Sequence, residues 1–353
     1  MTTHEPCLNS ALVCAFLSAD RCRNGNTHGT AHALFRQALH NMSPPMNHLR
    51  FLKYLDEVAR AGSIRQAAER LHIAPSAVNR RIQDLEEELG TPLFERLPRG
   101  VRLNAAGELF VAYIRSRSAH LDQVRSEIED LQGLRRGSVK LVASQALAPA
   151  FLPKAIASFR GHHPLVAVQA HIGDHLQAVQ ALRDFEMDLA LVFNLAPEPD
   201  IERIAEFEQK LVATMHRDHP LAQKSELRIR DCVDYPLVLP EQDIGGRQLL
   251  DHFLARSSIK LRPVVESNSF EFMRGYLYHE QAITFQIAIG AVTDGGALVA
   301  REISDRGFPK GQLVLASLRN RQLPVLAYAF AEHLRTALGA EAQATFNPAR
   351  TSA

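Results

Sequence analysis

The stretch Ser63-Ile64-Arg65-Gln66-Ala67-Ala68-Glu69-Arg70-Leu71, then His72-Ile73-Ala74, then Pro75-Ser76-Ala77-Val78-Asn79-Arg80-Arg81-Ile82, decides the reading of the N-terminal part of this chain. Ser63 with Gln66 three positions on has the form of a capping box, in which a hydroxyl and an amide satisfy orphan N–H groups at a helix start. Ala67 and Ala68 give the short helix Ile64 to Leu71 a small inner face that lets another helix approach closely. Pro75 suits the first turn of a new helix, because its missing N–H would have no partner there. Val78, Ile82, Leu85 and Leu89 then recur at helical spacing and predict one apolar stripe, while Ser76, Asn79, Arg80, Arg81 and Gln83 fall on the other face.

Upstream, Leu49, Leu52, Leu55 and Val58 predict a first helix ended by Gly62. Downstream, Glu95 to Leu103 reads as two short strands about a Pro98-Arg99-Gly100 tip, a basic wing anchored by Leu93, Phe94, Val101 and Leu103. The 353-residue chain carries a net charge of only +1, so no overall field draws it to a polyanion and any such binding must be local. Within 47–103, ten Lys and Arg stand against eight acids, and the acids gather at Asp84 to Glu88, toward the end of the third helix. A solvated helix face would account for Arg80 and Arg81 alone. It does not account for their order with a capped helix, a tight turn and a basic wing, which is the layout of a winged helix-turn-helix.

These residues resemble the winged helix-turn-helix of LysR-type transcriptional regulators over about 60 positions. The likeness runs through Leu49 to Leu52, Gly62-Ser63, Ala67 to Leu71, Ser76 to Ile82, Leu85 to Gly90, Leu93 to Arg96 and Arg99 to Gly107. One departure stands out: the family commonly opens its recognition helix with Ser-Gln-Pro-Ala, whereas this chain has Ala74-Pro75-Ser76-Ala77, so Ser76 and Asn79 carry more of the hydrogen-bonding capacity. The expected DNA-binding residues are Ser63, Arg65, Pro75, Ser76, Asn79, Arg80, Arg99 and Arg102. Arg80 and Asn79 are expected at base edges with Ser76 near the helix start, and Ser63, Arg65, Arg99 and Arg102 at phosphate or the minor groove.

Phe110, Ile114, Leu121, Val124, Ile128 and Leu131 follow heptad spacing, with Arg117 in the one skipped position, and predict a coiled-coil-like seam; a helix packed on its own domain is the other reading. LysR-type proteins are similar here in having a dimerising linker helix. Residues 106–136 are therefore expected to join a DNA-binding domain at 46–105 to an effector-binding domain at 137–340. Residues 341–353 are expected to form a tail, and 1–45, which is unpatterned, a disordered extension of the kind an upstream start codon would give.

In the C-terminal part, strand and helix signals alternate: Val139 to Ala143, Leu152 to Phe159, Val166 to Ala170, Leu176 to Phe185, Leu189 to Phe193. This order argues a parallel sheet with helices on both faces. A second set spans Leu211 to Phe285, and Leu313 to Leu318 with Leu326 to Leu338 is expected to return to the first. The fold class is thus α+β multidomain: a winged helix-turn-helix, a linker helix and a two-lobed α/β domain, with lobe I at about 137–210 and 312–340 and lobe II at about 211–311. Val139 to Pro153 and Asp188 to Val192 resemble the LysR-type effector-binding domain, which is related in fold to periplasmic binding proteins. Ligands of such folds sit at the carboxyl ends of strands. The effector candidates are accordingly Ser144 and Gln145 after the first strand, Phe193 and Asn194 after the third, Ser267 before a helix, and Phe285 and Gln286 after a late strand. Arg247 beside Gly245-Gly246 could reach a carboxylate, or be a solvated loop residue.

Enzyme readings find no support in motifs: Gly-x-Gly-x-x-Gly, the phosphate-loop pattern, Gly-x-Ser-x-Gly and His-Glu-x-x-His are all missing from the sequence. His171, Asp174 and His175 are read as a strand-to-helix loop rather than a metal cluster, and His216, Asp218 and His219 as a turn before Pro220. No metal, cofactor or catalytic group is expected. No run approaches the ~18 apolar residues of a membrane span. The four cysteines include no Cys-x-x-Cys pair and fit a reducing, cytoplasmic compartment. The expected partners are a double-stranded DNA operator of interrupted palindromic form, a small organic effector, a second copy of the chain (dimer or tetramer) and RNA polymerase. A two-lobed solute-binding protein without a DNA role is the alternative, and it leaves 47–103 unexplained.

Overall fold

The computed structural model describes residues 46–131, 136–242, 244–291 and 296–346; the side chains of residues 46–51, 129–131 and 342–346 are outside this description. The expected extension at 1–45 lies outside the described residues. The chain divides into two compact units, Met1–Ala106 and Gly107–Ala353.

The first unit contains α1 (Met46–Ala61), α2 (Ile64–Leu71), α3 (Pro75–Leu89), β1 (Phe94–Leu97) and β2 (Gly100–Leu103). Its core is Leu55, Val58, Ala67, Ala68, Val78, Ile82 and Leu93. The small inner face of α2 is what permits this packing, since Ala67 and Ala68 are both fully covered. The apolar stripe of α3 is shorter than its sequence period: Val78 and Ile82 are buried, but Leu89, in the last turn, is 41% exposed. Gly90 follows in the left-handed region (φ 67°) and turns the chain away before Leu89 can join the core.

The second unit begins with most of α4 (Ala105–Leu131) and continues as two sheets. Lobe I holds β3 (Gly137–Ala143), α5 (Phe151–His162), β4 (Val166–Ile172), α6 (His175–Arg183), β5 (Leu189–Phe193) and β6 (Ile201–Gln209). The chain then enters lobe II: β7 (Leu211–His216), β8 (Glu226–Leu227), α7 (Ile229–Cys232), β9 (Leu237–Pro240), α8 (Gly245–Leu254), β10 (Pro263–Ser267), α9 (Phe270–Tyr276), β11 (Ile283–Ile287) and β12 (Leu298–Ile303). It returns to lobe I through β13 (Gly311–Leu318) and α10 (Val325–Phe346).

The lobe I sheet has the order β4-β3-β5-β13-β6, and lobe II the order β10-β9-β11-β7-β12-β8. Each is mixed rather than purely parallel: β13 runs antiparallel to β5 and β6, and β7 antiparallel to β11 and β12. Antiparallel strands accompany the two crossings between lobes, because the strand that follows each crossing, β7 or β13, enters its sheet from the opposite end. In lobe I apolar layers cover both sheet faces, one built with Phe159, Phe330 and Leu334 and the other with Val179 and Leu182. Among the described residues no helix is long and apolar enough to cross a membrane.

Candidate nucleic-acid interface and ligand cleft

The turn before α3 is built by backbone conformation. Ser63 caps α2, its hydroxyl accepting from Gln66 N at 3.4 Å, so one half of the expected capping box is formed. His72 ends the helix in the left-handed region (φ 55°), and Ile73 N donates to Ala68 O at 3.0 Å. α3 then starts at Pro75 with no side-chain cap on Ala74. Pro75, Ser76, Ala77 and Arg80 are exposed and Asn79 is half-buried.

The wing is fixed to the same turn. Val101 N donates to Gly62 O at 2.9 Å, and a Cβ on Gly100 (φ 136°) would lie 2.3 Å from that carbonyl oxygen, so only glycine fits the approach. At its base, Glu86 of α3 accepts from Leu93 N at 2.7 Å and Phe94 N at 3.3 Å. Across the hairpin Arg102 pairs with Glu95 at 2.7 Å, Arg65 pairs with Glu69 at 3.3 Å along α2, and Arg81 with Asp84 at 3.4 Å along α3. Among the described residues Arg80, Arg96 and Arg99 have neither an ion pair nor a hydrogen bond. Arg96 is not among the residues the sequence singles out. Its signal is the alternation of β1, which puts every second side chain on one face.

In the second unit a cavity of about 300 Å³ lies between the lobes, at the carboxyl ends of β3, β4 and β5 on one side and of β10 and β11 on the other. Ser144, Gln145 and Phe193 line it, as the sequence predicts. The Ser144 hydroxyl accepts from Phe193 N at 3.0 Å, and Gln145 Oε1 accepts from Phe270 N at 2.5 Å, tying lobe I to the start of α9. Asp174, His175, Gln177, Gly245, Gly246 and Asn268 complete the polar lining. Asp174 caps α6, accepting from Gln177 N at 2.7 Å. Among the described residues no three metal-ligating groups gather there or elsewhere.

Four predicted residues stand outside the lining. Phe285 and Gln286 lie within β11, not after it; Phe285 is 1% exposed in the lobe II core, and Gln286 donates to Thr214 Oγ1 at 3.1 Å. The strand continues to Ile287, which faces the cavity in their place. Asn194 turns the chain (φ 50°) and accepts from Gln312 N at 2.9 Å. Ser267 ends β10 and its hydroxyl accepts from Ser269 N at 3.1 Å, while the neighbouring Asn268 lines the cavity. Arg247 is also turned away: it bonds Pro240 O at 2.8 Å, Glu266 at 2.7 Å and Asp251 at 2.9 Å. Burial works against its charge, but the bonds to Glu266 and Asp251 outweigh that and hold its pKa above the ordinary arginine value. No Lys or Arg is among the described residues of the lining.

Residues 49–108 match the family described as bacterial regulatory helix-turn-helix protein, lysR family, and residues 132–339 match the LysR substrate binding domain. The chain belongs to the LysR family. It is a DNA-binding transcriptional regulator with an effector-binding domain, which disfavours a solute-binding protein without a DNA role. Similar LysR-type relatives include the HTH-type transcriptional activator CmpR of Synechocystis, 26% identical over 78% of this chain and 91% of CmpR. The RuBisCO operon transcriptional regulator of Acidithiobacillus ferrooxidans is 30% identical over 73% of this chain and 83% of its own. In fold, the regulator resembles a full-length OxyR variant from Pseudomonas aeruginosa (TM-score 0.62, 21% identity, 81% of this chain and 97% of that one). It also resembles full-length CbnR complexed with its target DNA (TM-score 0.57, 20% identity, 82% and 99%).

Proposed function

We propose that this LysR-type regulator works as a cytoplasmic dimer, or dimer of dimers, on a dyad-symmetric operator. α3 enters the major groove with Arg80 and Asn79 at base edges and Ser76 near the helix start. Ser63, Arg65, Arg99 and Arg102 contact the backbone or minor groove, and Pro75 sets the direction of α3. The observation that carries this reading is that Arg80 on α3 and Arg96 and Arg99 on the wing are exposed cations with neither an ion pair nor a hydrogen bond among the described residues, in a chain whose net charge is only +1. A gel-shift series on the regulator's own promoter region tests it: Arg80→Ala is expected to lose operator affinity, and unchanged affinity would overturn the assignment.

The interlobe cavity takes the effector. Its size is at the small end of ligand sites, and its walls are amides, a hydroxyl, the Asp174 carboxylate, the His175 imidazole, apolar groups and the uncapped start of α8. Such a lining suits a compact polar organic molecule. Effector binding alters how dimers pair and so the spacing or bend of the bound DNA, which changes the regulator's contact with RNA polymerase.

A further inference from the structure

Side-chain links cross from α4 to lobe I, among them the Arg115–Asp184 pair and Gln123 Nε2 donating to Gln322 Oε1 at 2.9 Å. Between α4 and lobe I lies a second cavity, of about 430 Å³. Arg117, His120 and Gln123, one face of α4 by their spacing, form one wall. Phe185, after α6, and Arg319 to Gln322, after β13, form the other.

The lining contains three guanidinium groups and an imidazole but no Asp or Glu among the described residues. Arg321 is neutralised: it pairs with Asp188 at 2.6 Å, donates to Met187 O at 2.6 Å and lies 5.3 Å over the Phe185 ring. The other two are not. Arg319 Nη2 reaches only the carbonyl of Ile201, at 3.3 Å, and Arg117 lies 5.3 Å over the Tyr113 ring. The nearby acids are engaged elsewhere. Arg183 holds both Asp200 oxygens at 2.7 and 2.8 Å, and Asp122, outside the lining, lies 3.8 Å from Arg125. Two further guanidinium groups therefore face the groove: Arg117, with no carboxylate in the lining opposite it, and Arg319, which shares the field of Asp200 with Arg183. Gln123 (7% exposed) and the Arg321 side chain (8%) are held by hydrogen bonds at its edge, so the polar wall is fixed rather than solvated.

We propose that this groove is a second ligand site, taking a small organic polyanion that carries carboxylate or phosphate groups, separate from the interlobe cavity. Arginine forks match both groups bidentately, and the volume exceeds what a bare phosphate ion needs. A bound molecule spans Arg117 on the helix and Arg319 on the loop, and so fixes α4 on lobe I.

The test uses the full-length chain, with thermal melting and titration calorimetry against citrate, ribose 5-phosphate and inorganic phosphate, each compared with sodium chloride of equal ionic strength. Citrate or ribose 5-phosphate is expected to raise the melting midpoint beyond the salt control and to slow hydrogen exchange over 116–123. Arg117→Gln with Arg319→Gln is expected to weaken that binding about tenfold or more, the loss of a charge-assisted bond. Should the double variant fold poorly, Arg117→Gln alone, at an exposed helix position, reads the same loss. No shift with either organic anion, a response to inorganic phosphate alone, or binding that survives the substitutions would overturn the proposal.

Discussion

Arginine serves two opposite ends in this regulator. In the winged helix-turn-helix Arg80, Arg96 and Arg99 stand exposed without partners, whereas in the two-lobed unit Arg247 and Arg321 are buried and bound to carboxylates and carbonyls. Polyanion recognition needs charge that is still hydrated and free to exchange its counterions, so an unpaired surface arginine serves it best. A lobe that must hold its shape commits the same group to structure, and breaking such a pair leaves an uncompensated buried charge. The contrast predicts where a substitution is felt. Asp188→Ala leaves Arg321 unpaired and is expected to cost about 3–5 kcal/mol of stability, read by denaturant unfolding, with little change in DNA affinity of the protein that remains folded. An unchanged unfolding midpoint would break the comparison at once.

Gly311→Ala sharpens it from the apolar side. A Cβ there would lie 1.9 Å from Phe193 Cζ and 2.5 Å from Cε2, so the ring that lines the interlobe cavity has to move. Overpacking of this kind costs about 1–3 kcal/mol, checked by the same unfolding experiment. For the first unit the expectation reverses. Arg80→Ala is expected to leave the melting temperature unchanged and to cost about 1–3 kcal/mol of operator affinity, with relaxed specificity at one position of each half-site. Arg99→Ala has a smaller effect: affinity falls for all sequences alike, and the slope of log affinity against log salt drops by about one.

The same contrast explains what is legible in the sequence. The first unit is a chain of local signals, a Ser cap, an Ala-Ala pair, a Pro start and a Gly hinge, each acting within a few residues, and its proposed DNA contacts are side chains on the surface. The cleft instead depends on where strands stop. The apolar run places Phe285 and Gln286 at a strand end because it makes β11 finish at Phe285; the strand runs two residues further, and the alternation then buries one side chain in the core and pairs the other with Thr214. β6 is invisible to the pattern because Glu202, Arg203, Glu206 and Glu208 make Ile201–Gln209 read as a charged loop, although an edge strand exposes such residues freely. Asp174 and His175 suggest only a metal question in the sequence, and their place beside the cavity follows from the β4–α6 connection, a property of the sheet rather than of the two residues.

The smallest expected effect concerns a group that the sequence places in a plain turn. His219 is 1% exposed in lobe II, its Nδ1 accepts from Leu221 N at 3.1 Å, and its ring packs on Tyr235 at 4.5 Å. Burial, which penalises the charged form, lowers its pKa below 6.5, against a weaker opposing contribution from the backbone at Gln281. In the folded state the ring therefore stays neutral at a pH where the unfolded chain already binds a proton. Stability contributed by the neutral ring is present above the unfolded value near 6.5 and is lost as pH falls from there toward the folded pKa. Protonation would also put a hydrogen on Nδ1 and abolish the bond from Leu221 N. The melting midpoint of the native chain is thus expected to fall more steeply between pH 6.5 and 5 than that of His219→Gln, whose amide cannot titrate. Parallel pH profiles for the two proteins would show that lobe II is indifferent to the charge on this ring, and the division between paired and free charge would then rest on arginine alone.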